Sequence, residues 1–181
     1  MATSIAPLNI ELPPEDRANQ LLSRLLPDLS KPPVPLNEIA ERLNIGVVVT
    51  ALSPGVSGAL IRDRGRCFIA VNTGHHRNRQ RFTIAHEIGH FELEHGMDDH
   101  LDKEFTVIMR NENSSSAENT NEVAANQFAA ALLMPRELIM RDFVRIGAAG
   151  DEMITRLALK YQVSELAMQL RLRNLGLLQP F

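Results

Sequence analysis

The sequence predicts an α+β fold, mainly helical, with a small three-stranded antiparallel sheet and a helix-turn-helix-like tail. Three observations predict it. Short apolar and β-branched runs cluster between residues 46 and 71, the longer helical patterns mostly follow Arg77, and strands precede helices instead of alternating with them. With 181 residues and 44% hydrophobic content, the chain is long enough for one domain with a genuine core.

Each element has its own signal. The first dozen residues read as mobile. Pro13-Pro14-Glu15-Asp16 then opens a helix that places Leu21, Leu22, Leu25 and Leu26 on its buried side. Pro32, Pro33 and Pro35 form a stiff link to a short helix from Leu36 to Leu43. Strands are expected at Gly46 to Thr50, Ser57 to Arg62 and Arg66 to Val71, with Asp63-Arg64-Gly65 turning a hairpin between the last two. No proline interrupts Arg77 to His95, where a helix is expected. The stretch from Gly96 to Asn119 is irregular, an alanine-rich helix then runs to Pro135, and another begins near that proline. Thr155 to Ala167 reads as two helices and a turn, Ser164 capping the second. The pattern divides into an N-terminal segment and helix (1–34), a core (35–146) and a helical tail (147–181) that packs on the core or recognises a partner. No internal repeat is present.

Composition narrows the function classes. A net charge of −3 argues against nucleic-acid binding through bulk charge. The single cysteine, Cys67, excludes an intrachain disulfide framework and suits a reducing, cytoplasmic setting. It falls in the apolar run Cys67-Phe68-Ile69-Ala70-Val71 and reads as a strand residue, not a nucleophile. No segment approaches the ~20 apolar residues of a membrane span, and Met1 to Glu11 lacks the features of a signal peptide.

The chemistry lies in His86-Glu87-Ile88-Gly89-His90. Residues i and i+4 share one face of a helix, so both imidazoles can reach one ion. Glu87 adjoins the first histidine, where a carboxylate can act as general base without being a ligand. Phe82, Ala85, Ile88 and Gly89 recur at helical spacing, which predicts an apolar stripe against a core. Gly89, costly in a helix, suggests that another backbone approaches closely between the two histidines.

Two histidines need a third protein ligand if the fourth position is to stay open. His95 follows His86 by nine residues and points to the opposite side of a continuous helix. Leu93 and Gly96 also stand where the longer zinc motif needs glycine and histidine. Glu122 fits better. It shares a helix face with Asn126, whose amide oxygen can hold a ligand imidazole, and Ala125 and Ala129 would allow close packing on the metal helix. Asn119-Thr120-Asn121-Glu122 also fits a capping box, but the need for a third ligand favours coordination. Zinc is the metal that this donor set suggests, with manganese or iron as alternatives.

Arg81-Phe82-Thr83-Ile84-Ala85-His86-Glu87-Ile88-Gly89-His90, followed by Glu122-x-x-Ala125-Asn126-x-Phe128-Ala129-Ala130-x-Leu132-Leu133-Met134-Pro135, resembles the ImmA/IrrE group of metallopeptidases. The resemblance runs from about Pro35 to the C-terminus. It implies a zincin-like domain in which His86, His90 and Glu122 bind zinc and Glu87 is catalytic. It also implies an intracellular peptidase acting on very few proteins, commonly a helix-turn-helix repressor, so that repression is relieved during stress or the mobilisation of genetic elements.

Several readings remain open at this level. Glu87 takes the proton of the attacking water, and His95, His76 and Tyr161 are candidate donors to the developing oxyanion. Residues 96–119, with Asp98, Asp99, Asp102 and Glu104, read either as a lid beside the site or as a disordered insertion. In the tail, Glu165, Leu166, Ala167 and Met168 offer little to base edges, while Arg171 and Arg173 come late and could reach phosphates only. Packing or partner recognition is favoured over direct DNA binding. A zinc-bearing interaction module without turnover, or a DNA-binding regulator, is the alternative to a peptidase. Glu87 favours catalysis, because binding alone needs no base.

Overall fold

A computed structural model describes residues 12–93, 100–103 and 117–178. Helix α1 (Pro14–Leu25) starts on a proline, carries Glu15 and Asp16 in its first turn, and buries Ala18, Leu21 and Leu22. Helix α2 (Leu36–Arg42) follows the proline-rich link and buries Leu36, Ile39 and Ala40. Strands β1 (Ile45–Thr50), β2 (Val56–Asp63) and β3 (Arg66–Asn72) lie within a residue or so of their expected limits. Between β2 and β3, Arg64 (φ 46°) and Gly65 (φ 77°) both adopt left-handed backbone, as a two-residue primed turn requires.

The sheet departs from the expectation in two ways. Its order is β1-β3-β2-β4, and β1 runs parallel to β3, so the sheet is mixed and four-stranded. The hairpin partners β2 and β3 are antiparallel, pairing Leu60 with Ile69. Strand β3 carries the most continuous apolar run and therefore takes an inner place, paired on both edges; β1 docks on its free side. The fourth strand, β4 (His100–Lys103), lies inside the stretch expected to be irregular and pairs antiparallel with β2. The last residues of that stretch, Ala117 to Asn119, open the next helix; the rest of the stretch, and with it the lid reading, lies outside the described residues, as do His95 and residues 1–11.

Helix α3 (Arg77–Glu92) crosses the centre of the molecule. Residues 83–90 are all buried, so the expected apolar stripe is in fact a helix covered on every side. Helix α4 (Ala117–Leu133) packs along it, and Pro135 ends that run by capping α5 (Arg136–Arg145). Since α4 begins at Ala117, Glu122 lies within the helix and not in its first turn, which removes the capping-box alternative. Helices α6 (Gly150–Tyr161) and α7 (Glu165–Asn174) form the tail, joined through left-handed Gln162 and capped by Ser164, whose hydroxyl accepts from the Ala167 N–H. One apolar cluster extends from Ala18 of α1 through Ile88 and Phe128 to Leu157 and Leu172 of the tail.

Arg171 is a second correction. It is 4% exposed, donates to both Glu15 oxygens at 2.7 and 3.2 Å and to the Met134 carbonyl at 3.1 Å, and so is a buried clamp unavailable to phosphate. Among the described residues no helix is long and apolar enough to cross a membrane.

Candidate metal centre

Helix α3 supplies His86, Glu87 and His90, all fully buried, and α4 supplies Glu122. The two Nε2 atoms converge to 2.9 Å. Glu122 straddles them, its two carboxylate oxygens each 3.3 Å from one histidine. Ligands at roughly 2.0–2.2 Å from a tetrahedral zinc are separated by about 3.3–3.5 Å, so the three donors fit one ion after a small adjustment of the imidazole pair. Nitrogen and carboxylate donors in a His2Glu set are those of a zinc site with an open fourth position.

Asn126, one turn beyond Glu122, accepts a hydrogen bond at Oδ1 from His86 Nδ1 at 2.9 Å. That bond places the proton on Nδ1 and leaves the Nε2 lone pair facing His90 and Glu122. The approach of α4 to α3 depends on Gly89. A Cβ there would lie 3.2 Å from the Ala125 carbonyl oxygen and 3.2 Å from the Phe128 ring, so the glycine marks the close backbone approach that its cost in a helix had suggested. Ala125 and Ala129 are fully buried in this contact.

On the other side, β2 presses against α3. A Cβ at Gly58 would fall 2.3 Å from Thr83 Cγ2, 2.9 Å from the Ala70 carbonyl oxygen and 3.7 Å from Glu87 Oε1. Gly58 was not singled out from sequence, although a glycine inside a strand is itself a signal of close backbone approach. Arg79 was missed as well. It reaches across to β2 and donates to the buried Ser57 hydroxyl at 2.8 Å.

Two of the expected oxyanion donors are placed elsewhere. His76 caps the start of α3, accepting from the Asn78 N–H, about 15 Å along the helix axis from His86. Tyr161 is fully buried and donates its hydroxyl to Asp142 Oδ2 at 2.9 Å. Burial, and then that bond, push its pKa well above the ordinary value. His95 lies outside the described residues.

The comparisons agree with this geometry. The family model described as Peptidase_M78, IrrE N-terminal-like domain, matches residues 40–173. The chain belongs to the Peptidase M78 family. With that membership and the His86-Glu87-x-x-His90 arrangement beside Glu122, this M78 chain carries a zinc metallopeptidase domain. No curated protein matches its sequence. Among solved structures, a Mycobacterium tuberculosis transcriptional regulator superposes on 88% of this chain with a TM-score of 0.61 and 18% identity. The aligned region spans 46% of that protein, and the likeness is one of fold.

Proposed function

We propose that this M78 chain is an endopeptidase that cleaves one or a few specific regulatory proteins, of which a helix-turn-helix repressor is the leading candidate. One observation carries the reading: Glu87 is fully buried next to the point where His86, His90 and Glu122 converge, a position that serves catalysis and that mere metal retention does not require. Family membership supports peptide-bond chemistry, and the mycobacterial neighbour's description as a transcriptional regulator accords with a regulatory role.

His86, His90 and Glu122 would hold the zinc ion. When bound, zinc supplies a Lewis acid and lowers the pKa of water at its open position towards ~7. Glu87 acts as the general base, taking a proton from the attacking water as its oxygen bonds to the scissile carbonyl carbon. As the carbon–nitrogen bond breaks, the same carboxyl returns that proton to the leaving amine. Asn126 keeps the His86 ring in one tautomer and one orientation throughout. Burial of His86, Glu87 and His90 excludes bulk water from them and strengthens their electrostatic contacts.

Direct DNA reading has less support. Arg171 is engaged inside the protein, and Glu165, the first residue of α7, accepts from the Thr155 hydroxyl at 2.8 Å.

The test is a substrate trap. Tagged Glu87→Gln protein, expressed in its native cell, is expected to retain a DNA-binding regulator that wild type releases. Zinc-loaded wild type should cut that protein, and the variant should be at least ~10² slower, the scale of a lost general base. Equal retention of an intact partner by both forms would replace the enzyme reading with a binding module.

A further inference from the structure

Beside the metal centre, α3, α4 and α7 enclose a groove of about 710 Å³. It adjoins the site through one shared residue. Asn126, the residue that holds His86, forms part of its wall, Val123 adjoins Glu122, and Thr83 stands one turn before His86 on α3. Along α4 the groove extends from Val123 to Met134, about 16 Å at 1.5 Å per residue. An extended peptide covers that length with roughly five residues at ~3.3 Å each.

Its lining is mostly apolar, and Val123 and Leu166, at 39% and 46% exposure, leave large side chains open to solvent on opposite walls. Among the described residues, the charged members of the lining are Arg79 and Arg171, and no carboxylate lines it. Glu15 already neutralises Arg171. Arg79 has no carboxylate partner among the described residues; its one hydrogen bond is to Ser57, and its buried Nε–H is left unsatisfied. A buried guanidinium donor without an acceptor is costly, and an incoming anionic group would relieve that cost.

We infer that this groove binds the substrate chain on one side of the scissile bond and selects a bulky aliphatic residue followed by an acidic one, with Arg79 as the residue that determines the charge preference. The aliphatic side chain lies between Val123 and Leu166, and the carboxylate meets Arg79. This rests on the peptidase reading and adds the class of sequence that the site accepts.

Binding of zinc-directed probes separates the two. Zinc-loaded full-length protein is titrated calorimetrically with acetohydroxamate and with peptide hydroxamates in which the chelating group is followed by Leu-Glu, Leu-Lys or Ser-Glu. The Leu-Glu probe is expected to bind at least ten-fold tighter than acetohydroxamate and at least five-fold tighter than either twin. Arg79→Glu should reverse the Glu-over-Lys preference. Leu166→Glu, on an exposed position, should remove most of the gain from leucine while leaving acetohydroxamate unchanged. If acetohydroxamate binds but the peptide probes gain nothing, or if their ranking ignores both variants, the groove assignment is overturned and the metal reading stands. A Leu166-dependent dimer that blocks the peptide probes would instead give the groove to a second copy of the chain and also overturn the assignment. No binding of acetohydroxamate to zinc-loaded protein would remove the peptidase reading and this inference with it.

Discussion

At the scale of single residues, the metal centre depends on a partner that is not itself a ligand. Asn126 fixes the His86 tautomer through one bond of 2.9 Å. Its replacement by alanine frees the ring and should weaken zinc binding ten- to hundred-fold, the range found for groups behind a ligating histidine. Competition with a chromophoric chelator measures this, and unchanged affinity would mean that packing alone orients the imidazole. Tyr161 makes the opposite case. Its hydroxyl is bound to Asp142, which Lys160 also contacts at 2.8 Å and Arg141 at 3.2 Å. Tyr161→Phe should therefore cost about 1 kcal/mol of stability, the ordinary net worth of one hydrogen bond, and leave zinc affinity intact. Unaltered thermal stability with a lost turnover would return Tyr161 to the reaction.

At the scale of elements, the spacing of α3 and α4 controls how Glu122 meets the histidine pair. Gly89 is where the two backbones come closest, with Ala125 oxygen and Cα 3.2 and 3.3 Å from the place a Cβ would take. In an open helix, glycine to alanine would stabilise by about 1 kcal/mol. Here the new methyl must displace α4 by a few tenths of an ångström, and overpacking of that kind costs about 1–3 kcal/mol. Gly89→Ala is thus expected to destabilise, not stabilise, and to loosen zinc binding about ten-fold by moving Glu122 and Asn126 together. Chemical denaturation and a zinc titration on the same variant check both parts; a stabilised protein with full affinity would show that the interface is looser than its distances imply.

At the scale of the whole molecule, two charged clusters tie distant parts of the chain together. Arg171 joins α7 to Glu15 of α1 and to the end of α4, while Arg141, beside Asp142, donates to the Ser30 carbonyl at 2.6 Å. The Arg171 guanidinium beside Glu15 holds that carboxyl below its ordinary value of 4.5. Burial pushes the Asp142 carboxyl upward, but Lys160, Tyr161 and Arg141 together outweigh it and leave it below 3.8. A carboxyl whose folded pKa is depressed stabilises fully above its unfolded pKa and loses that contribution as pH falls through the folded value. The part of the stability that Glu15 and Asp142 contribute should therefore be fully present above about pH 5 and be lost as pH falls below ~4.5. Glu15→Gln should flatten part of that decline, modestly because the side chain is 36% exposed and screened by solvent. An identical acid slope in the variant would assign the decline to Asp142 and other carboxyls.

The sequence alone determined the helices and the first three strands, which are written in local spacing; β4 was not legible in it. It nominated the ligand set, where the two histidines are local and the need for a third ligand selected Glu122 over a capping role. Histidines four apart on a helix, a glutamate and an asparagine four apart on the next, and alternating or continuous apolar runs can each be read without knowing what lies opposite. Even the close approach at Gly89 was legible, since a glycine that costs helix stability needs a tertiary reason. Only the tertiary structure decided which strands pair, because an apolar run such as Gly46 to Thr50 can dock on either side of a hairpin and in either direction. It also decided that Arg171 is buried and that Tyr161 serves Asp142, since an arginine or tyrosine looks the same in sequence whether it faces solvent, a ligand or a carboxylate 19 to 156 residues away. The groove shared by α3, α4 and α7 belongs to this second kind: each wall is an ordinary helix face, and its chemistry arises from residues that only folding brings together.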